Sequence, residues 1–166
     1  SMYKEITANR LVTKALTQDN NSAIDTFIQA GNLFLLEASP HKALWLANQT
    51  LALTEIPIQQ YQLLIISAKS LLTLQQEEMA YQAIDKANKV IANSQLSHSF
   101  DYYQTLANIQ QIRKLPIIAL DARLRAFAKN SNATSADIDT LWQQFCQLSQ
   151  WQHQQLVKLQ APNIQG

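Results

Sequence analysis

Two consecutive runs of sequence decide the fold: Leu63–Leu72, which reads LLIISAKSLL, and Met79–Ala87, which reads MAYQAIDKA. The first run is apolar almost all round, which predicts a helix with neighbours on several sides. The second carries a narrow stripe of mostly small residues at the spacing of one helix face, namely Ala80, Ala83, Ile84 and Ala87. Because short side chains let a neighbouring backbone approach closely, we predict a tightly packed helical hairpin over residues 57–93.

The spacing of this hairpin recurs on both sides of it. A small residue is followed twelve positions later by another one in three places, which are Gly31 and Ala43, Ala68 and Ala80, and Ala107 and Ala119. Successive copies are offset by 37 and 39 residues, and a further step of 39 lands on Cys146. A larger apolar residue stands four positions before the first small residue of each copy, in the order Phe27, Leu64, Tyr103 and Trp142.

This pattern resembles the tetratricopeptide repeat, W-x2-L-G-x2-Y followed by A, whose usual period is about 34 residues. The resemblance implies an all-α fold, a TPR-like right-handed helical solenoid of antiparallel helix pairs. The longer period indicates longer turns between the helices. We expect eight or nine helices, no sheet, and a single TPR-like domain over residues 1–166.

The composition favours helix throughout and argues against several classes of function. Only two glycines and four prolines interrupt the 166 residues, and the 47% of apolar residues suffice to fill a core. The net charge of +1 gives no reason to expect nucleic acid or an acidic membrane surface as a partner. No apolar run approaches the length that spans a bilayer, and the one cysteine, Cys146, excludes an internal disulfide.

Residues that carry chemistry in other proteins are scattered along this chain. His41, His98 and His153 lie in three separate segments without the spacing of a metal site. Glu77 and Glu78 fit the solvated first turn of a helix better than an acid–base pair. A chain with two glycines is also a poor candidate for a phosphate-binding loop. We therefore expect no metal, no cofactor and no enzymatic activity.

Four conspicuous side chains are interpreted as packing residues. Trp45, Trp142 and Trp151 stand at helical spacings, which favours core anchors between repeats over a ligand box. Cys146 occupies the small-residue position of the fourth copy, which favours packing over a role as nucleophile.

Capping residues predict where the helices begin. Ser22, Ser39 and either Ser97 or Ser99 are expected N-caps, and Pro40, Pro57 and Pro116 are expected in first turns. Thr134-Ser135-Ala136-Asp137 resembles a capping box with Asp in place of the usual Glu.

A stacked solenoid offers one further kind of site, a concave surface lined by the first helix of each pair. In the frame of the repeats, we predict a protein-binding groove at Asn32, Gln62, Ile65, Lys69, Gln104, Asn108 and Gln111. These residues are mostly amides with one cation, which suits a backbone-like or sugar-amide partner. The alternative, that they are only solvated helix residues, stays open.

Several stretches resemble one particular family. Tyr102–Ala107 resembles its Y-Y-x-T-L-A stretch, and Leu63–Leu72 resembles its L-L-x-A-x-x-L-L helix. Ala119–Arg125 and Asp137–Trp142 resemble its A-x-x-A-R segment and its later N-I-D-x-x-W, with Asp137 where the family often has Asn. The chain is thus similar to the N-terminal helical domain of the LppC/LpoA group, outer-membrane lipoproteins that activate bifunctional penicillin-binding proteins.

The resemblance implies a non-catalytic regulatory or scaffold domain that works in peptidoglycan biosynthesis, and hence in cell-wall growth and cell shape. It implies a periplasmic location in a lipoprotein anchored to the outer membrane, with a further domain of periplasmic-binding-protein fold after Gly166. The implied partner is a bifunctional (class A) penicillin-binding protein, with peptidoglycan as a further candidate. No catalytic residue carries over to this region.

The alternative is a generic TPR module that binds a peptide or protein. Its best-known version clamps a C-terminal carboxylate, and Asn32 matches one clamp position. Ile28, Ile66, Asp101 and Thr105 occupy the other clamp positions, which argues against such a clamp. An enzyme whose site is split between this region and a further domain also stays open.

Overall fold

The computed structural model describes the backbone of residues 2–165 and the side chains of residues 6–161. Over that span the chain forms nine α-helices and no strand, which confirms the all-α prediction. The helices are α1 (Met2–Ala15), α2 (Asn20–Leu36), α3 (Pro40–Leu51), α4 (Pro57–Thr73), α5 (Glu77–Ala92), α6 (Phe100–Ile112), α7 (Pro116–Lys129), α8 (Ser135–Cys146) and α9 (Gln150–Gln165).

The helices group into two compact units, residues 1–97 with α1 to α5 and residues 98–166 with α6 to α9. In the first unit each helix contacts the next one along the chain, and in the second unit α7 contacts α6, α8 and α9. Short turns of three to five residues join successive helices within each unit. The expectation of a single domain over residues 1–166 stays a prediction beside this division.

Helix α4 is the centre of the first unit. It contacts α2, α3 and α5, and ten of its seventeen residues are buried, which agrees with a helix that is apolar almost all round. On α5 the predicted stripe of Ala80, Ala83, Ile84 and Ala87 is buried. The remaining core of this unit joins α1, α2 and α3 through Ala8, Ile28, Phe34, Ala43 and Leu46.

The six small residues that are spaced twelve positions apart in pairs are all buried. The pairs are Gly31 and Ala43, Ala68 and Ala80, and Ala107 and Ala119. Their spacing has a local cause in the turns that follow α2, α4 and α6. Ala38, Gln75 and Lys114 adopt left-handed backbone, with φ of 56°, 60° and 63°. In each turn the next N–H donates to the carbonyl five residues back, from Ser39 to Phe34 (2.8 Å), Gln76 to Leu71 (2.9 Å) and Leu115 to Gln110 (2.9 Å). One Schellman turn, repeated three times, sets the register of the small pairs.

The predicted fourth copy is wrong. In the three true copies, five further helical residues follow the first small residue. Cys146 instead is the last residue of α8, and it is exposed. The helix ends there because Ser149 opens the next one, and Ser149 and Gln152 cap each other with bonds of 2.8 and 3.2 Å. Cys146 is therefore not a packing residue.

The caps follow the sequence with one shift. Ser99 accepts from Tyr102 N–H, and Thr134 with Asp137 forms the predicted capping box. Pro40, Pro57 and Pro116 lie in first turns as predicted. Before α2 the cap is Asp19 rather than Ser22, because the Asp19 carboxylate accepts from the backbone N–H of Ser22 at 3.0 Å. Ser39 stands at the N-cap of α3 without a side-chain capping bond.

Candidate functional site

An open apolar groove of about 490 Å³ lies between α7, α8 and α9 in the second unit. Three helices contribute to its wall, and the lining residues are Leu120, Leu124, Phe127, Ile138, Leu141, Trp142, Phe145, Leu156, Val157, Gln160 and Ala161. Ile138, Trp142 and Val157 are more than half exposed, whereas Leu120 and Leu156 are buried. An apolar concave surface of this kind is the usual place for a ligand or partner.

Helix α8 explains why the groove stays open. Its apolar residues recur at i, i+3, i+4 and i+7, as Ile138, Leu141, Trp142 and Phe145, so they share one face. None of the residues of α8 is buried; Ile138 is 54% exposed and Trp142 63%. The sequence of α8 thus encodes a core-like face that the described part of the chain does not cover.

Polar contacts hold α9 beside this face. A ring nitrogen of His153 lies 2.7 Å from the carbonyl oxygen of Phe145, and the two rings stack with centroids 4.2 Å apart. On α7, Asp121 forms a salt bridge with Arg125 at 3.0 Å. Asp121 also accepts a hydrogen bond from the amide of Gln160 on α9. These contacts connect α9 to α8 and to α7 around the groove.

The groove offers an occupant very few hydrogen bonds. Among its lining residues only Gln160 and Trp142 carry polar side-chain groups, and the Gln160 amide is already bonded to Asp121. A backbone inserted here must satisfy its own N–H and C=O groups. A helix does so and an extended strand does not, so the geometry favours an amphipathic helix.

A second and more polar pocket of about 150 Å³ lies on the other side of α8, towards α6, and we call it the α6–α8 pocket. Its lining residues are Phe100, Gln104, Arg123, Phe127, Asn130, Asp137, Thr140, Leu141 and Gln144. The guanidinium of Arg123 donates from Nη2 to Asn108 Oδ1 at 3.2 Å. A neighbouring depression of about 170 Å³ contains Gln111 and Gln144 among its lining residues.

These two pockets account for the predicted groove residues of the second unit. Gln104 lines the α6–α8 pocket, Asn108 binds Arg123, and Gln111 lines the neighbouring depression. All three lie on α6, as the repeat frame requires. Whether they bind a protein stays a prediction.

The predicted residues of the first unit are less uniform. Asn32 and Gln62 are exposed on α2 and α4, and Lys69 is half-buried. Ile65 is only 3% exposed, so it belongs to the core and its assignment to a binding surface is wrong. The physical reason is that α4 is surrounded by α2, α3 and α5 and has little free face.

The tryptophans correct the sequence interpretation most clearly. Trp45, Trp142 and Trp151 are 65%, 63% and 63% exposed, so none is a core anchor. Trp142 lines the apolar groove of the second unit. Trp45 lines a pocket of about 340 Å³ in the first unit, together with Val12, Phe34 and Lys42. The spacing of the apolar residues in α8, at i, i+3, i+4 and i+7, was the sequence signal for the groove. This spacing does not distinguish an apolar face that another helix covers from one that stays exposed.

An aromatic cluster begins the second unit. The His98 ring stacks on Tyr102 with centroids 3.7 Å apart and meets the edge of Tyr103. Burial, and secondarily the positive charge of Lys129, lowers the pKa of His98 from its ordinary 6.5 to about 4. The imidazole is therefore neutral at neutral pH and acts as a packing ring.

No protein-family model, curated protein or solved structure matches this chain. Among the described residues, no group of three or more His, Cys, Asp or Glu side chains is arranged to hold a metal ion. None of the helices, as far as they are described, has both the length and the hydropathy needed to cross a membrane.

Proposed function

We propose that this chain is a non-catalytic docking domain built as a TPR-like right-handed solenoid of helix pairs. Three identical Schellman turns after α2, α4 and α6 support the repeat, because each positions a buried small residue on both helices of its pair. The lack of clustered catalytic side chains in the sequence agrees with a binding role.

The occupant that fits the apolar groove is an amphipathic helix of a partner protein. The observation that carries this proposal is the uncovered face of α8, with Ile138 and Trp142 more than half exposed. From Ile138 to Phe145 the face extends about 10 Å at 1.5 Å per residue. This length accommodates two turns of a helix with anchors at i, i+3 or i+4, and i+7.

We further propose that the partner is a bifunctional (class A) penicillin-binding protein and that the chain is part of a periplasmic lipoprotein at the outer membrane. This step rests on the stretches Leu63–Leu72, Tyr102–Ala107 and Asp137–Trp142, which resemble the LppC/LpoA group. In this proposal the domain supports activation of the synthase and thereby peptidoglycan growth.

Site-specific photo-crosslinking in cells tests both the proposed groove and the proposed partner. It compares a matched pair of positions. Trp142 and Trp151 are each 63% exposed, but only Trp142 lines the groove. A photo-reactive residue at position 142 of the full-length protein should yield an adduct with the synthase, mapped by mass spectrometry to a helical segment. The same residue at position 151 should yield much less of this adduct.

Substitution gives the functional arm of the test. Trp142→Gln with Val157→Gln should impair synthase activation in a strain that depends on this protein, whereas Trp151→Gln should not. Buried aromatic anchors typically cost at least about tenfold in affinity when removed. An adduct between two copies of this chain would overturn the partner helix. Full activation after deletion of residues 1–160 would overturn the functional assignment.

A further inference from the structure

Helices α8 and α9 carry groove-lining residues at equal distances from the turn that joins them. The turn consists of residues 147–149 and ends at Ser149. Phe145 and His153 each stand four positions from Ser149 along the chain. Three further pairs, which we call the outer pairs, stand seven, eight and eleven positions from it, namely Trp142 and Leu156, Leu141 and Val157, and Ile138 and Gln160. All of these residues except His153 line the apolar groove.

The hairpin of α4 and α5 shows what such symmetry means in this chain. Its turn also has three residues, 74–76, and its two helices contact each other. Residues at equal distances from Leu74 are buried in pairs, namely Ala68 with Ala80, Leu64 with Ile84, and Tyr61 with Ala87. Such positions oppose each other when two helices pack antiparallel across a short turn. The rows on α8 and α9 are therefore placed to pack on one another.

In the structure the pair nearest the turn is packed, and the outer pairs are not. The rings of Phe145 and His153 stack with centroids 4.2 Å apart. Each outer pair has a member that is more than half exposed, since Trp142, Val157 and Ile138 are 63%, 64% and 54% exposed. The hairpin of α8 and α9 is thus closed at its turn and open beyond it.

The two helices are held to the rest of the second unit differently. On α9, the carbonyl oxygen of Leu159 accepts a hydrogen bond from Arg125 at 3.3 Å. The amide of Gln160 donates to Asp121, and Leu156 is buried. Helix α8 has no buried residue, and within the described residues none of its side chains forms a hydrogen bond or ion pair with another helix. Helix α8 is therefore the one that can move.

We propose that α8 turns about residues 147–149 and closes on α9, so that the outer pairs pack as Phe145 and His153 already do. Closure buries the apolar face of α8 without a partner. The consequence for docking rests on the proposed function, in which the same face receives the partner helix. Only open molecules then bind the partner, and the apparent affinity falls in proportion to the fraction that is closed.

Cysteine crosslinking of the whole chain tests closure. In a Cys146→Ser background, Leu141→Cys with Val157→Cys puts one cysteine on each side of an outer pair. A disulfide needs its two Cα atoms within roughly 4.4–6.8 Å of each other, so it reports the closed hairpin. The control is Gln143→Cys with Gln155→Cys, which is equally spaced about the turn but lies outside the groove lining. With oxidised glutathione, the 141–157 disulfide should form at least about tenfold faster than the 143–155 disulfide.

The two rates decide the proposal. Equal rates, or a faster 143–155 disulfide, would overturn closure. If circular dichroism shows that the cysteine variants do not fold, methyl NOE spectra of the wild-type chain replace them. A cross-peak between the methyl groups of Leu141 and Val157 would support closure, and the absence of this cross-peak would overturn it.

A functional arm separates closure from docking. In the full-length protein, the 141–157 disulfide should lower synthase activation relative to the same protein after reduction with dithiothreitol. Rapid disulfide formation with no loss of activation would mean that α8 closes but that the partner does not use this face, which overturns the competition and the proposed docking site. A slow disulfide together with an adduct from position 142 to the synthase would mean that docking stands and closure is wrong.

Discussion

Gly31 of α2 faces Ile66 of α4 so closely that a Cβ at position 31 would lie 3.2 Å from Ile66 Cδ1 and 3.4 Å from its Cγ2. The Ile66 side chain is itself almost fully buried, so it has little room to move away. The glycine in the first copy of the repeat therefore allows the close approach of α2 to α4.

Gly31→Ala should lower the free energy of unfolding by about 1 kcal/mol, because overpacking outweighs the better helix propensity of alanine. Ile66→Val removes the Cδ1 methyl that causes the closest contact. In that background Gly31→Ala should be neutral or stabilising, with a coupling of at least about 1 kcal/mol. Urea unfolding of the four proteins measures this cycle, and a stabilising Gly31→Ala in the wild type would contradict it.

The left-handed turn residues predict stabilising substitutions. Gln75 and Lys114 are exposed and have φ of 60° and 63°, a conformation that costs a residue with a Cβ about 1 kcal/mol or more. Gln75→Gly and Lys114→Gly should each raise the free energy of unfolding by about 0.5–1 kcal/mol.

A glycine elsewhere should have the opposite effect. Gln82 is exposed in the middle of α5, so Gln82→Gly should destabilise by roughly 0.5–1 kcal/mol. Thermal melts of these variants give the comparison. If Gln75→Gly and Gln82→Gly shift the midpoint in the same direction, the turn geometry is not what limits stability.

Much of the fold is predictable because its determinants are local in sequence. The buried faces of α4 and α5 follow from helical periodicity, and the spacing of Ala68 and Ala80 follows from one turn type. Proline and Thr134 mark helix starts for equally local reasons. These features need no knowledge of distant contacts.

The functional surface is less predictable, because it depends on which faces stay uncovered. Trp142 belongs to the same helical pattern of apolar residues whether or not a neighbouring helix packs on it. From the sequence alone, that pattern favours a packed side chain. Arg123 is one of two arginines in α7, and only the positions of the surrounding helices reveal that its buried Nε has no hydrogen-bond partner among the described residues. The assignment of Ile65 to the binding groove is wrong for the converse reason. Its burial depends on how many helices pack around α4, which the sequence does not show.

Ala80 provides a test of the close helix packing in the first unit. It is fully buried, whereas its neighbour Met79 is 53% exposed. Ala80→Trp should destabilise by about 1–3 kcal/mol or more, because the side chain has no space to occupy. Met79→Trp adds the same indole one position away and should change the unfolding midpoint little; equal losses for both variants would refute the predicted frame.

His98 predicts a specific dependence of stability on pH. Its pKa is about 4 in the folded protein against an ordinary 6.5, so the unfolded chain binds the proton first as the pH falls. The contribution of the neutral ring is complete above pH 6.5 and is lost between 6.5 and 4. Urea midpoints over this range should fall more steeply for the wild type than for His98→Phe, which keeps an aromatic ring against Tyr102. Parallel curves would show that the pKa of His98 does not differ between the folded and the unfolded chain.

The open face of α8 predicts that this helix unfolds locally more readily than the rest. Helices α3 and α8 both have twelve residues, but α3 has four buried residues and α8 has none. Since local opening is limited by buried apolar contacts, the amides of α8 should exchange with solvent on the order of a hundredfold faster than those of α3. Hydrogen–deuterium exchange with mass spectrometry measures both helices in one experiment. A partner helix bound in the apolar groove should slow exchange in α8 and leave α3 unchanged, because only α8 gains burial. Equal protection of the two helices in the free protein would mean that the face of α8 is covered in solution.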